Sequence, residues 1–383
     1  MSRLPARRQR VAGPMATVVV PVRNDAQGIA RCLGGLSRQC VQAEIVVVDD
    51  GSTDGTAEVA RRLGARVLSS GGRGAAAARN LGVQCARSEV VLFTDADCIP
   101  CPGWAKALLE PFGDPRVVAS KGTYRSRQTG ATARFVQVEY EERYARMLRA
   151  TDVDFLDTYS LAVRRRDLVA VGGFDEAFRG ASVEDQEMSF RLHARGRFVF
   201  VPTAVVEHTH ADSPRAYFRK KLRIGRGKAT LLRRHRDRIK GDSHTPASLV
   251  VQVPLVLLAL AALLLTPLFG STLLAVASGL AFAPVCLSSG LVFRAVARHG
   301  PAFLAAVMAL TLLRAWALGL GVAWGLCMPL ARLEGPRPTV AEGEMSGDDS
   351  GAFAPTAESE WLGRQAADTT RGEARRDVVD THG

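Results

Sequence analysis

Residues 44–56 have the sequence EIVVVDDGSTDGT, and this stretch decides the fold. Its first five residues are mostly β-branched, which is typical of a buried strand. Two aspartates end the strand, and the glycine, serine and aspartate that follow are turn formers. A helix is predicted at residues 55–63. A buried strand that continues through a polar turn into a helix is the repeating unit of a parallel α/β sheet.

The same strand–turn–helix unit occurs before and after this stretch. Strands are predicted at residues 17–20, 44–48, 66–68, 90–94, 117–123, 159–163 and 198–202. Helices are predicted at residues 26–38, 55–63, 74–86, 132–148 and 184–195. We therefore predict an α/β fold with a mostly parallel sheet and helices on both faces. Ligands of such sheets lie beyond the carboxyl ends of the strands.

Composition divides the 383 residues into four parts. Residues 1–15 form a basic arm, and residues 16–243 mix charged and apolar residues as a soluble domain does. Residues 248–330 are almost purely apolar. Residues 331–383 form a polar, acidic tail that we expect to be disordered.

Three runs within the apolar part are long enough to cross a bilayer, at residues 248–269, 271–293 and 302–330. Basic residues precede the first run and separate the second from the third, which places those loops in the cytoplasm and the tail outside. Arg314 interrupts the third run. It could line a polar path or extend its charge to the membrane surface, and the sequence leaves both readings open.

We expect the soluble part to stay in the cytoplasm of a multi-pass protein of the cell membrane. The basic N-terminus has no apolar segment of signal-peptide length behind it. The seven cysteines show no disulfide spacing, and the Cys98-Ile-Pro-Cys101 pair is interpreted as incidental. The net charge of +12 favours an anionic membrane surface as partner over nucleic acid, because aromatic residues make up only 6%.

Three acidic sites follow predicted strands or open a helix: Asp49-Asp50, Asp95-Ala96-Asp97 and Glu184-Asp185. Asp49 and Asp50 could accept hydrogen bonds from a nucleoside, or could serve only as turn residues. If the strand before Asp95 continues, period-two alternation places Asp95 and Asp97 on one side, where two carboxylates suit Mn²⁺ or Mg²⁺ on a diphosphate. The alternative is a turn with aspartate caps.

The third acidic site opens a predicted helix. A carboxylate at that position could act as a general base toward an acceptor hydroxyl. Ser182, with an acid three residues later, also predicts a capping box, and the two roles are compatible. Arg79 could reach a phosphate or pair with a site carboxylate. His208 and His210 could complete a metal shell or simply end a surface strand.

Six short motifs in this order resemble family 2 inverting glycosyltransferases of the GT-A fold, and the resemblance covers residues 16–227. The motifs are PVRN at 21–24, VVDDGSTDGT at 47–56, ARNLG at 78–82, TDAD at 94–97, GGFDE at 172–176 and ED at 184–185. The resemblance implies transfer of a sugar, typically of the hexosyl type, from a nucleotide-sugar donor with inversion. It also implies Mn²⁺ or Mg²⁺ as cofactor.

The resemblance also implies a role for each site residue. The nucleoside pocket would be lined by Pro21, Val22, Arg23, Asn24, Asp49 and Asp50, with uridine the commonest base. Asp95 would contact the ribose or the metal, and Asp97 would hold the metal on the diphosphate. Residues 172–176 would shape the acceptor side, Asp185 would be the base, and Glu184 would be its neighbour. His208 matches a histidine that often follows the last strand in related sequences.

We therefore expect a membrane-anchored transferase with a nucleotide-sugar donor and an acceptor hydroxyl or lipid-linked acceptor, acting in cell-envelope glycan or glycolipid synthesis. The Gln-x-x-Arg-Trp motif of processive synthases is missing after Asp185, which favours single transfer. A nucleotidyltransferase would need a glycine-rich, lysine-containing loop after the first strand, and residues 21–24 do not fit. The other alternative is a non-catalytic membrane protein that binds nucleotide-sugars or partners.

Overall fold

The computed structural model describes residues 15–178, 183–235, 243 and 245–328. Almost all of the predicted basic arm, the acidic tail at 331–383, Ser182 and the basic residues at 236–240 lie outside the described residues. Every described residue belongs to one compact unit.

The first half of the domain forms the predicted parallel sheet. Its strands are β1 (Ala16–Val22), β2 (Ala43–Asp49), β3 (Arg66–Ser69) and β4 (Val90–Phe93), in the spatial order β3-β2-β1-β4. They alternate with the helices α1 (Ala26–Leu36), α2 (Thr56–Arg62) and α3 (Ala75–Cys85). All neighbouring pairs among these four strands are parallel. Their carboxyl ends therefore meet at one edge.

The second half extends the same sheet in mixed directions. It contains β5 (Cys98–Pro100), α4 (Trp104–Leu109), β6 (Val117–Arg125), α5 (Ala131–Met147), β7 (Leu161–Arg164), α6 (Arg165–Ala170), α7 (Glu184–His193), β8 (Arg197–His208) and α8 (Pro214–Arg234). The complete order is β3-β2-β1-β4-β7-β6-β8-β5. Strand β7 is antiparallel to β4 and β6, and β5 is antiparallel to β8. The parallel prediction thus holds for the first half, and β6 with β8 is a further parallel pair.

Both faces of the sheet are covered, as predicted. Successive valines of β1 point to opposite faces, so that Val18 joins one hydrophobic core and Val19 the other. The first core includes residues of α1 and α4, and the second includes residues of α3 and α7. Helix α3 approaches β1 closely because Gly82 lies against the Val19 side chain, where a Cβ would not fit. This close packing sets the position of α3 over the site.

In the described part of the chain, four α-helices follow α8: α9 (Ala247–Phe269), α10 (Ser271–Leu287), α11 (Ser289–His299) and α12 (Leu304–Cys327). Among the described residues, two helices are long and apolar enough to cross a membrane, or up to three spans if the bent pair α10–α11 counts as one. The apolar run predicted at 271–293 falls on this pair, in which the chain bends by 56° between the two helices. The bend lets Leu291 and Ala295 of α11 pack in one core with residues of α5.

The sheet domain and the apolar helices pack directly against each other. Helix α8 lies along α12, and the contact is close because Gly225, Gly321 and Gly325 have no side chains. A Cβ on Gly225 would collide with the backbone of α12, and one on Gly321 with the backbone of α8. Small residues of this kind allow helix backbones to approach closely. The two predicted domains therefore share an extended helix–helix interface.

A buried cluster of charges joins the same two parts. Arg314 of α12 is 5% exposed and donates to Glu139 Oε1 of α5 at 3.1 Å and to Ser288 Oγ at 2.9 Å. Lys221 and Tyr217 of α8 donate to the same Glu139 carboxylate, at 3.3 and 2.8 Å. Arg314 is thus paired inside the protein with a residue of the sheet domain. This differs from both roles that the sequence left open, a polar path and a position at the membrane surface.

Replacement of Glu139 should loosen this interface. The variant Glu139→Gln leaves Lys221 and Arg314 buried without a carboxylate, and breaking such a pair costs about 3–5 kcal/mol. We expect a clearly lower midpoint of thermal unfolding for the detergent-purified protein. Burial raises the pKa of Glu139, but the charges of Lys221 and Arg314 outweigh this effect and lower the pKa to about 2. The ionised carboxylate therefore contributes fully to the stability of the folded protein above the ordinary carboxyl pKa, and this stabilisation is lost as the pH falls toward 2.

The matched control is Glu141→Gln on the same helix, because Glu141 pairs with the exposed Arg298. Exposed pairs contribute about 1 kcal/mol or less. Equal unfolding midpoints for the two variants would contradict the role assigned to Glu139.

Candidate active site

The three acidic sites meet at the carboxyl edge of the parallel strands. Asp49 is the last residue of β2, Asp95 lies two residues beyond β4, and Glu184 begins α7. The loops after β1 and β2 are joined by hydrogen bonds: the Asn24 N–H donates to Ser52 Oγ at 2.9 Å, and the Thr53 N–H donates to Asn24 Oδ1 at 2.8 Å. Asn24 has a φ of 51°, a left-handed conformation that asparagine tolerates.

Asp49 and Asp50 hold this edge together. The Asp50 carboxylate accepts from Ser70 Oγ at 2.7 Å and from the Gly74 N–H at 3.0 Å, and Arg23 lies 3.9 Å away. Asp49 accepts from the Ser52 N–H of its own turn at 3.3 Å. Both carboxylates therefore shape the loops that surround the proposed nucleoside pocket.

The remaining predicted pocket residues belong to β1 or follow it. Pro21 and Val22 are the last two residues of β1, and the side chain of Val22 lies in the hydrophobic core. The Val22 carbonyl accepts the Asp50 N–H at 2.8 Å, so Val22 positions the loop and does not present a side chain to a ligand. Arg23 is exposed beside this loop.

Arg79 connects two of the acidic sites. Its guanidinium is 4% exposed and donates to Asp95 Oδ1 and to Glu184 Oε1, each at 3.1 Å. The ring of Phe174 lies below the same guanidinium, 5.7 Å from centroid to Cζ. Arg79 thus holds the turn after β4 beside the start of α7.

The predicted pair Asp95 and Asp97 lies on a turn, because β4 ends at Phe93 and the Cys98 N–H donates back to the Asp95 carbonyl at 3.0 Å. Of the two alternatives left open by the sequence, the structure therefore has the turn, and the period-two alternation of a continued strand does not apply. Burial raises the pKa of Asp95, and nearby Asp97 adds to this while Arg79 opposes it. The turn directs Asp97 toward the last strand.

Asp97, Cys98 and His208 form the candidate metal centre. Their ligand atoms lie within 4.8 Å of one another, and Asp97 Oδ1 is 3.5 Å from His208 Nδ1. Asp97 is 50% exposed, and its pKa is lowered by the hydrogen bond and charge of His208 against the effect of burial. A carboxylate oxygen is a ligand that suits Mn²⁺ and Mg²⁺, and the imidazole nitrogen is a second donor atom beside it. The site thus fits a divalent ion.

Cys98 is the member of this cluster that the sequence interpretation missed. It is placed beside His208 by the antiparallel pairing of β5 with β8, in which the two residues are opposite each other. Burial, together with Asp97 and Asp95, raises the pKa of the thiol well above its usual value, so the thiol remains protonated. A thiolate is a soft ligand that suits neither Mn²⁺ nor Mg²⁺, so the ligand of this cluster that suits both ions is the Asp97 carboxylate, with His208 as the neighbouring nitrogen donor.

His210 faces away from this centre. Its ring stacks on Tyr140 at 5.5 Å between centroids, and its Nε2 lies 2.9 Å from Gln137 Oε1. Burial and the nearby His208 lower its pKa to about 3, which keeps the ring neutral. His210 thus supports α5 and the strand end that carries His208.

Glu184 and Asp185 have different surroundings at the start of α7. Glu184 is buried against Arg79, whereas Asp185 is half-buried and accepts the Gln186 N–H at 2.8 Å. Burial and the neighbouring Glu184 and Asp157 raise the pKa of Asp185 well above its usual value, against the effect of Arg79. The predicted Ser182 cap lies outside the described residues, and Val183 occupies the N-cap position. A raised pKa is typical of a general base.

The loop at residues 172–176 is attached to α3. Asn80 donates to the Phe174 carbonyl at 2.8 Å and accepts the Phe174 N–H at 2.8 Å. Gly172 and Gly173 both have positive φ values, 83° and 72°, which glycine adopts readily. Asn80 follows Arg79 directly, so one helix positions both the central arginine and this loop.

The sequence model of the glycosyl transferase family 2 matches residues 17–172 of this chain. These residues include nearly all of β1, the strands up to β7 and the first two acidic sites. The chain carries a family 2 glycosyltransferase domain. This confirms the family to which the six motifs pointed, and the third acidic site lies beyond the matched residues.

Curated relatives agree with this assignment. The chain is 32% identical over 233 residues to the pre-mycofactocin glycosyltransferase of Mycobacterium tuberculosis, covering 58% of this chain and 48% of that protein. It is 30% identical over 220 residues to the validoxylamine A glucosyltransferase of Streptomyces hygroscopicus, covering 48% of this chain and 52% of that protein. The chain thus spans about half the length of these relatives.

A solved structure is similar in fold to this chain over the glycosyltransferase domain and beyond it. The mannosyltransferase PcManGT from Pyrobaculum calidifontis, in complex with GDP-Man and Mn²⁺, has a TM-score of 0.51 and 22% identity. The match covers 83% of this chain and 88% of that one. At this identity the comparison concerns the fold alone, and it confirms the predicted GT-A, Rossmann-like architecture.

Replacement of Arg79 should destabilise the domain. The variant Arg79→Gln leaves Asp95 and Glu184 close together without their shared cation, and loss of one partner of a buried pair costs about 3–5 kcal/mol. We expect a lower midpoint in urea-induced unfolding followed by tryptophan fluorescence.

Arg73→Gln is the control, since Arg73 is exposed and lies 3.9 Å from Glu176. This change should shift the midpoint little. An Arg79→Gln midpoint as high as that of wild type would show that Arg79 does not hold the two sites together.

Proposed function

We propose that the domain transfers a hexosyl group from a nucleotide-sugar, with UDP as the first candidate carrier, to an acceptor hydroxyl with inversion of configuration. The proposal rests mainly on Arg79, which brings the turn bearing Asp95 and Asp97 beside the helix start bearing Glu184 and Asp185. One side then binds the donor diphosphate, and the other activates the acceptor.

The donor would lie across the carboxyl ends of β1, β2 and β4. The loop of residues 21–24 and the turn at Asp49-Asp50 surround the nucleoside, and Asp95 faces the ribose or the metal. A donor of the hexosyl type is supported by the printed name of the validoxylamine A relative, a glucosyltransferase. Because the PcManGT complex contains GDP-Man, guanosine is the second nucleoside to test.

Asp97 and His208 would hold Mn²⁺ or Mg²⁺, with Asp95 beside them. When bound, the ion neutralises charge on the leaving diphosphate. Asp97 is accessible enough to reach such an ion, and His208 is fixed by its stacking on Tyr124 at 4.4 Å between centroids. Preorganised ligands of this kind lose little freedom when the donor binds.

Asp185 would remove the acceptor proton. As the acceptor oxygen forms its bond to the anomeric carbon, the bond from that carbon to the diphosphate breaks, and the proton passes to the Asp185 carboxylate. A single displacement on one face of the sugar inverts the anomeric configuration. Glu184 remains paired with Arg79 and keeps the base in place.

The protein would act at the cell membrane with its catalytic domain in the cytoplasm. Two apolar helices of sufficient length and the direct packing of α8 on α12 support membrane attachment. The basic residues near the first apolar helix suit an anionic cytoplasmic surface. We propose a lipid-linked or envelope-glycan acceptor, in the synthesis of the cell envelope.

Metal-dependent nucleotide binding is the first expectation. Calorimetry on the detergent-purified protein should detect UDP binding that strengthens at least tenfold with Mn²⁺, and Asp97→Ala should remove the metal dependence. The exposed Glu58→Ala, on α2, serves as the control and should bind as wild type does. If UDP and GDP both fail to bind to the wild type, the protein is a non-catalytic member of its family.

Asp185→Asn should retain nucleotide binding and lose transfer by a factor of about 10² to 10⁴, the usual contribution of a general base. Transfer is measured as UDP release from a panel of UDP-sugars with total membrane lipid as acceptor. Because the base must be deprotonated and its pKa is raised, the wild-type rate should increase with pH beyond the range in which ordinary carboxyl groups titrate.

The control for this variant is Asp152→Asn, since Asp152 is an exposed partner of His193. Normal transfer by Asp185→Asn would assign the base to another residue.

A further inference from the structure

A cavity of about 270 Å³ lies between the glycosyltransferase domain and the apolar helices. Its walls are mainly apolar, with side chains from α7, α8, α9 and α12: Phe190, Leu231, Leu249, Val253, Leu318 and Val322. This volume is slightly below the roughly 300 Å³ at which pockets for drug-sized ligands begin. The cavity therefore suits a segment of hydrocarbon chain better than a nucleotide-sugar.

Polar groups lie on the side of the cavity that adjoins α7. Lys228 Nζ donates to Gln186 Oε1 at 3.3 Å and to Thr245 Oγ1 at 3.4 Å. Gln186 is the residue after Asp185, and its N–H donates to the Asp185 carboxylate at 2.8 Å. The polar side of the cavity is thus one residue from the proposed base.

The apolar side of the cavity belongs to the two candidate membrane spans. Leu249 and Val253 are on the first two turns of α9, and Leu318 and Val322 are on α12. Both helices have the length and composition of segments that lie in a bilayer. A hydrocarbon chain could therefore enter between them without leaving an apolar medium.

The basic residues beside the cavity and the nearby carboxylate of Asp185 indicate which polar group a ligand of the cavity would carry. Lys228 supplies a cation at the polar side, and α8, which carries it, contains seven further lysine and arginine residues from Arg215 to Arg234 besides the buried Lys221. An anionic head group is complementary to this surface. A base such as Asp185 is required only if the acceptor offers a hydroxyl proton.

We propose that this cavity binds part of the hydrocarbon chain of an anionic membrane lipid with a free head-group hydroxyl, and that this lipid is the sugar acceptor. The proposal rests on the transferase function proposed above and specifies its acceptor. With the chain between α9 and α12, the head group lies beside Lys228 and Gln186, and its hydroxyl is directed to Asp185.

The binding test uses the full-length protein in nanodiscs and needs no transfer. Phosphatidylglycerol that carries a diazirine in its acyl chain is the probe, and mass spectrometry identifies the labelled residues. We expect labelling of Leu249, Val253 or Leu318 in the wild type. Val253→Trp should fill the cavity and reduce this labelling at least fivefold.

Two variants and one lipid serve as controls. Leu264→Trp introduces the same ring on α9 at a site that is 77% exposed, and labelling of the cavity should stay at the wild-type level. Phosphatidylcholine with the same diazirine chain lacks both the net negative charge and the hydroxyl, and should label the cavity less. Lys228→Gln should reduce the preference for phosphatidylglycerol while leaving the thermal midpoint close to that of wild type.

Equal labelling of the cavity in wild type and Val253→Trp, or labelling restricted to exposed residues of α9, would overturn the proposal. The failure of the transferase function is seen separately, as absence of Mn²⁺-dependent UDP binding in a lipid-free detergent solution. If UDP binding is intact, Val253→Trp should raise the KM for phosphatidylglycerol at least tenfold and leave the UDP dissociation constant unchanged. An unchanged KM would exclude the cavity as an acceptor site.

Discussion

The site depends on one buried cation shared between two carboxylates. Arg79 reaches Asp95 after β4 and Glu184 at the start of α7, and it is almost fully removed from water. A guanidinium in that position is stable only while both acids stay in place, because an unpaired buried charge costs several kcal/mol. The turn after β4 and the start of α7, the proposed donor and acceptor sides, are therefore held together by electrostatics. The packing of α3 on β1 sets the position of Arg79.

A second buried charge extends the same constraint to the membrane side. Glu139 receives Arg314 from α12 and Lys221 from α8, so the soluble domain and the apolar helices share one ion cluster. The close contact of α8 with α12 through glycines has the same effect by packing. These two contacts hold α12, one wall of the cavity beside Gln186 and Lys228, against the domain. The proximity of this cavity to Asp185 is then a consequence of the architecture.

Much of the domain could be predicted from local pattern. The strands and helices of the first half lie within a few residues of their predicted bounds, since β-branched runs and turn formers act over short stretches of chain. Local pattern does not show contacts between residues that are far apart along the chain. The apolar run at 271–293 is bent at Ser288, whose hydroxyl accepts from Arg314 and Gln252. Cys98 appeared incidental because its neighbour His208 belongs to a strand far along the chain.

The sequence by itself determined the fold class, the family and the identity of the acidic residues, because short motifs and their order along the chain are enough to indicate each of them. Only the tertiary structure decided which of those residues meet. Arg79 and Glu184 are 105 positions apart, and Glu139 and Arg314 are 175 positions apart. Periodicity and turn chemistry describe neighbours along the chain, whereas an ion pair or a cavity forms only after the sheet order and the helix packing have brought distant segments together.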